Sequence, residues 1–473
     1  MNDYIAQIRR LRELGPRTSG NDAHRALISE VAAELSALGY NVQRDRHTFE
    51  RWDASPDSTA LQIEGVDVPL SSTWPYSGET GPLGVTAPLV LLRGRRKKWK
   101  AAAGKIAVIE IHNIDVPANL LLDSWGGELP FDTLANPVIG SELADIVLTK
   151  AREAGVLGVV AIWGSIVDEA AHGQYLPFTR DYQGIPAVWV PQSQRNAVLA
   201  AAERGKEATL TLDARKTEGA TMDTLWAVSR GTGPQAEEAV LVVTHSDGGN
   251  AVEENGHLGL LALARDAAAN AHNRTIVFVY TAGHLRIPCV TKHGQATTAW
   301  LAAHPECWSP EYEGLTAVAG LVIEHLGAKH FCVDPSSGQY GPDGTLEPEL
   351  LYATTREFAQ LALATWSGAS MNAVVPVKPG ALVHLGEGEP LFDHGIPAVA
   401  LVTGPMYLLA ETDADTVDID TLTRQIDSFR RLLTHLASHV DSATFGVVSR
   451  PSKLRKLLAV TRVLLFMNRH RRI

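Results

Sequence analysis

A chain of 473 residues is too long for a single hydrophobic core, so two domains, or one domain carrying a large insertion, are expected. Its composition, 45% hydrophobic and 20% charged, is that of a globular protein, but the net charge of −11 conceals an asymmetry: residues 451–473 hold seven Lys and Arg and no acid, leaving 35 basic against 53 acidic residues elsewhere. A body charged −18 repels phosphate backbones, which excludes nucleic acid as its expected partner.

In chain order, Ile5, Ile8, Leu11 and Leu14 recur at helical spacing before the breaker Gly15-Pro16. A second helix is expected from about Asp22 to Leu38, closed by Gly39 in the position that tolerates a left-handed turn. Residues 55–215 change texture: Pro, Gly and Trp become frequent, Ile106-Ala107-Val108-Ile109 reads as a short strand, and a helix-like stretch around Ala144–Ala154 leads into the apolar run Gly158–Trp163. That pattern predicts a smaller α+β module inserted into a larger domain formed by 1–54 and 216–445. From about 220 onward, apolar strand, turn and amphipathic helix alternate, which predicts an α/β fold with a mixed, mostly parallel central sheet flanked by helices. The expected strands are Ala239–Thr244, Thr275–Thr281, Val318–Ile323 and Ala398–Thr403, with a helix at Gly256–Ala269.

Three cysteines, Cys289, Cys307 and Cys332, are too few for a disulfide framework and favour a reducing compartment. The N-terminus Met1-Asn2-Asp3-Tyr4 lacks the apolar stretch of a signal peptide, so a cytoplasmic location is expected.

In a parallel α/β sheet, ligands bind beyond the carboxyl ends of the strands. The residues there are His245-Ser246-Asp247 with Glu253-Glu254 following, Gly283-His284, and Glu324-His325. Imidazole and carboxylate groups converging from separate elements suit Zn²⁺, and Asp247 could fix the tautomer of His245. Each residue also has a plain structural reading. Paired Glu before a helix stabilise its first turn, and a His after a strand is often a satisfied core residue. Glu324 is harder to explain so, because a carboxylate ending an apolar strand is costly unless paired. No GxSxG elbow, HExxH helix, GxGxxG turn or P-loop occurs, which leaves metal-dependent hydrolysis or no chemistry.

Leu14-Gly15-Pro16-Arg17-Thr18-Ser19-Gly20 resembles the N-terminal signature of the aminopeptidases with two co-catalytic zinc ions, the group related to glutamate carboxypeptidase and the transferrin receptor. Thr244-His245-Ser246-Asp247 is similar to their first ligand motif, Glu254-Asn255-Gly256 to their bridging carboxylate before a helix, and Leu321-Val322-Ile323-Glu324 to a further carboxylate-bearing strand. Gly395-Ile396-Pro397-Ala398 and Asp415-Thr416-Val417-Asp418 match two late landmarks. Gly104-Lys105-Ile106, Ala154–Val160 and Ile185-Pro186-Ala187-Val188 resemble a protease-associated domain, which would make 55–215 that insertion.

The resemblance implies a zinc exopeptidase-like fold, one or two zinc ions, and hydrolysis of a peptide or N-acyl amino compound, with His245, Glu254 and Glu324 as metal ligands. The departures fall on one side of the site. Thr281-Ala282-Gly283-His284 replaces the family's adjacent Glu pair, and Met406–Asp413 lacks its last His. His284 is then the expected base, with Asp247 orienting His245; Glu253, His325 and Glu411 are weaker candidates for base or ligand, and Glu387 and Glu389 lie on a loop that could face the same cleft. The Gly386-Glu387-Gly388-Glu389 loop reads equally as a turn or as a substrate contact. A catalytically inactive descendant that binds a peptide or protein is the alternative.

Residues 446–473 form a basic amphipathic tail, whose apolar stretch within 452–473 is too short to span a bilayer. It is expected either to lie on an anionic membrane, to dock a protein, or to pack on the acidic body.

Overall fold

The computed structural model describes residues 3–94, 97–126, 128–292, 294–366, 368, 374–382 and 384–469. Four strands form the parallel heart of the sheet, because each has an apolar interior and is joined to the next by a crossover long enough to return to the same edge. Glu238–His245 lies between Thr275–Thr281 and Thr316–Val322, and Ala398–Val402 follows Thr316–Val322, all parallel. Glu349–Ala353 then runs antiparallel to Ala398–Val402, and Val374–Lys378 parallel to Glu349–Ala353. All four strands coincide with the expected runs to within two residues at either end.

Helices cover both faces. Gly256–Ala269 forms as expected, and its residues from Gly256 to Ala264 are buried all round rather than on one face. On the same side pack Tyr4–Leu14, Asp22–Ala37, Arg356–Thr365 and Ile419–Leu436. The first helix corrects the expected stripe: Tyr4, Ile8 and Leu11 face the core and Ile5 is exposed. Asn21 caps the second helix by accepting from the His24 N–H at 2.8 Å, and Gly39 just beyond its end has φ +92°.

Two long strands, Gln43–Ile63 and Glu207–Ser229, pair antiparallel as a ribbon between this sheet and residues 85–190. On it Asp53 pairs with Arg215 and Ala54 with Ala214. Beyond the ribbon, Val85–Leu91, Ile106–His112, Gly158–Gly164 and Ala187–Val190 make a parallel set with its own core, where Trp189 stacks on Trp163 at 4.0 Å and on Trp74 at 4.9 Å. The helix expected over Ala144–Ala154 is two helices, Pro137–Ala144 and Leu148–Glu153, because Asp145 takes a left-handed conformation (φ 49°) that ends the first.

The candidate metal and proton-transfer site

The carboxyl ends of three adjacent parallel strands deliver His245, His284 and Glu324-His325 to one edge of the sheet. His245 ends its strand, and its Nδ1 lies 3.1 Å from the Asp247 main-chain carbonyl. A proton on Nδ1 satisfies that contact and leaves Nε2, which is buried without a partner, as a lone pair facing inward. Glu324 accepts the Glu387 N–H on Oε1 at 2.7 Å, and its Oε2 is likewise buried and unpartnered. His325 has φ 53°, a conformation costly for a non-glycine residue, and its Nδ1 accepts the Thr403 N–H at 3.3 Å. One donor atom from each of His245, Glu324 and His325 lies within 4.8 Å of the others.

Burial sets the charge state of this group. It lowers His245 to about 3, helped by the charge of His284, and lowers His325 well below the usual imidazole range. It also pushes Glu324 up to about 7, with Glu387 adding to the rise. His245 Nε2 and Glu324 Oε2, both without a hydrogen bond, are donors that a divalent metal satisfies, whereas the lone pair of neutral His325 is the one on Nδ1 that takes the Thr403 N–H, so His325 joins them by giving up that contact. Gly386 closes over Glu324: its φ is +77°, and a Cβ there would overlap Glu324 Oε2.

His284 stacks on His245 with ring centroids 4.1 Å apart. Its Nδ1 is 2.9 Å from Glu387 Oε1, and its Nε2 is 4.0 Å from Glu253 Oε1. Glu387 is anchored in turn by the N–H groups of Ala296 and Thr297, at 3.3 and 2.8 Å, where the helix Ala296–Ala303 begins. Burial alone would lower His284, but the hydrogen bond and charge of Glu387, with Glu253 and Asp247 nearby, hold it up at about 9. Glu253 is pushed to about 8 by burial; its Oε2 accepts the Gly249 N–H at 2.7 Å and its Oε1 has no partner.

The other residues singled out from the sequence sit elsewhere. The Asp247 carboxylate accepts from the N–H groups of Gly283, His284 and Leu285 at 3.1, 3.0 and 2.9 Å and from the Ser19 hydroxyl, so it shapes the turn carrying His284 and touches His245 only through its main chain. Glu254 accepts from the buried Arg17 guanidinium, which also donates to the carbonyls of Leu11 and Asn250 at 2.9 and 2.6 Å, and Glu254 is not in the three-donor group. Glu389 is half-buried in the first turn of Glu389–Asp393, where burial pushes it to about 7. Glu411, also pushed to about 7 by burial, lines a cleft of about 1020 Å³ with Trp52, Leu61 and Tyr175; none of the three donors lines that cleft.

Three partners escape a reading of the sequence: Arg17 as the counter-ion of Glu254, Glu387 as the anchor of His284, and Thr403 behind His325. Glu387 carried a signal in its placement between two glycines and Arg17 in its place within the N-terminal signature; Thr403 carried none. A second surface group, His330, Cys332 and Asp343, is formed by the hairpin strands Lys329–Val333 and Tyr340–Leu346.

No family model and no curated protein matches the chain. Among solved structures it is similar to the aminopeptidase from Aneurinibacillus sp. strain AM-1, with 16% identity over 95% of this chain and 98% of that one and a TM-score of 0.61. It is similar to a zinc aminopeptidase from Bacillus subtilis, with 15% identity over 93% and 96% and a TM-score of 0.62. It is also similar to a peptidase M28 precursor from Shewanella amazonensis SB2B, with 16% identity over 94% of both chains and a TM-score of 0.64. At such identities the likeness is one of architecture, and the chain has the α/β fold of the zinc aminopeptidases.

Proposed function

We propose that the chain is a metal-dependent amide hydrolase acting on a peptide or an N-acyl amino compound, with one metal held by His245, Glu324 and His325. The carrying observation is the convergence of these three donors, with His245 Nε2 and Glu324 Oε2 buried and unpartnered. When bound there, zinc would supply Lewis-acid polarisation of a carbonyl and acidify a water. The protein's own part is proton handling. Glu387 fixes the His284 ring through Nδ1 and turns Nε2 toward Glu253; the 4.0 Å gap between Nε2 and Oε1 admits a shared water or leaving nitrogen. Between pH values of about 8 and about 9, where Glu253 is ionised and His284 still protonated, Glu253 Oε1 receives the proton of the attacking water and His284 Nε2 delivers one to the departing amine, so His284 serves as the acid and not as the base expected from the sequence. Asp247 holds the His284 turn in place through three main-chain N–H groups.

Residues 55–215 are read as a protease-associated-like insertion framing the approach to this edge. Hydrolysis of aminoacyl anilides and N-acyl amino acids tests the reading. Activity should be lost on chelation, restored by zinc, and reduced about 10²- to 10⁴-fold by His284→Ala. Absence of any chelator-sensitive hydrolysis across both substrate classes would defeat it.

A second reading, a peptide-binding protein without catalysis, has its own support. The carboxylates of the family's second metal position are absent at Ala282-Gly283, and Glu254 is taken up by Arg17. It predicts peptide binding that His245→Ala leaves unchanged.

A further inference from the structure

The helix Lys453–Arg469 touches the body along one side and exposes its leucines on the other. Ala459, Val463 and Phe466 share one arc and are partly buried, and Arg455 Nη2 reaches Asp123 Oδ2 at 3.3 Å. At about 100° per residue, Leu454, Leu457, Leu458, Leu464 and Leu465 fall within an arc of about 120° on the opposite side. They are 66%, 62%, 55%, 49% and 55% exposed. Thr461 lies in the same arc, but its hydroxyl donates to the Leu457 carbonyl at 2.8 Å, so it can enter an apolar environment without a lost hydrogen bond.

Charge identifies what covers this face. Exposed Lys453 lies at one edge of the arc and exposed Arg462 just beyond the other, while Arg455 is on the side that meets Asp123. No acid occurs in 452–473. The body, charged −18, could in principle attract this helix, yet the leucines face away from it, so the body does not supply their partner. Among the described residues no helix is long and apolar enough to cross a membrane. An apolar stripe rimmed by cations, on a helix about 25 Å long, instead has the form that lies in the plane of a lipid interface.

We propose that the Leu454–Leu465 face binds an anionic phospholipid surface, the leucines entering the acyl boundary and the flanking cations meeting the headgroups. The test is flotation of the full chain with vesicles of phosphatidylcholine plus phosphatidylglycerol, against phosphatidylcholine alone. The chain should float with the anionic vesicles, remain unbound to the neutral ones, and be released by high salt. Lys453→Gln with Arg462→Gln should weaken binding about 25-fold, about fivefold per cation. Leu457→Glu with Leu464→Glu should abolish it; both sites are exposed, and unchanged thermal unfolding of the two variants verifies that the body is intact. Failure to bind anionic vesicles, wild-type binding by the leucine variant, or a self-associated chain that the leucine variant renders monomeric would each overturn the proposal, the last by making a second copy the partner.

Discussion

Gly386→Ala is expected to be the most informative single-atom change in the protein. At φ +77° any L-residue is strained by about 1–2 kcal/mol. The new Cβ also meets the Glu324 carboxyl carbon at 3.1 Å and Oε1 at 3.2 Å and overlaps Oε2, so the carboxylate must turn away. Overpacking of this kind adds about 1–3 kcal/mol, for a total of about 2–5 kcal/mol. Gly395→Ala is the control: its φ is +76°, but the nearest atom is the far end of Arg450 at 3.6 Å, so only the backbone cost of about 1–2 kcal/mol remains. Urea denaturation of both variants, and of Gly386→Ala in a Glu324→Ala background, separates the contributions. Gly386→Ala should cost more than Gly395→Ala, and the excess should vanish when Glu324 is truncated. Displacement of a ligand should also weaken metal binding by about 10- to 100-fold, on the scale of other ligand-orienting changes. Equal costs at the two glycines, or an excess that persists without Glu324, would refute the packing argument.

Arg17→Met should destabilise the protein by about 3–5 kcal/mol in the same denaturation assay, because it strands the buried Glu254 carboxylate, and Arg17→Met with Glu254→Leu should recover part of that loss. A small effect of the single change would mean that the pair contributes little to the fold. His384 is buried with both ring nitrogens unpartnered, and burial lowers it from 6.5 to about 3. A histidine held neutral in the fold contributes stability that is fully present above 6.5 and is lost as pH falls toward 3, at up to about 1.4 kcal/mol per pH unit. Stability of His384→Leu should therefore fall less steeply than wild type over that window, and parallel curves would contradict the assignment.

The fold was legible because the parallel strands have apolar interiors: Glu238–His245 and Thr275–Thr281 announce themselves as buried runs, and the turns after them mark the edge where ligands collect. His245, His284 and Glu324 could be found by position alone. Their partners could not, since pairing across 237 residues, as between Arg17 and Glu254, leaves no local pattern. The same limit explains Asp247. Its spacing from His245 suggested a side-chain contact, but the strand end turns so that the carbonyl faces the imidazole and the carboxylate reaches the 283–285 turn. His325 was only a weaker candidate; on an extended strand, residues next to each other point to opposite faces. Its left-handed backbone breaks that alternation and brings both Glu324 and His325 to one point. In the tail, the short apolar stretch flanked by cations marked an amphipathic segment, but which side faces the body is a tertiary fact.

Calorimetric titration of Zn²⁺ into chelator-treated protein tests the central claim most directly. One ion per chain should bind at the strand-end site, and His245→Ala, Glu324→Ala and His325→Ala should each abolish that binding, whereas Cys332→Ala, at the surface hairpin, should leave it intact. Zinc binding that survives loss of His245, or no binding to the intact protein, would contradict the account.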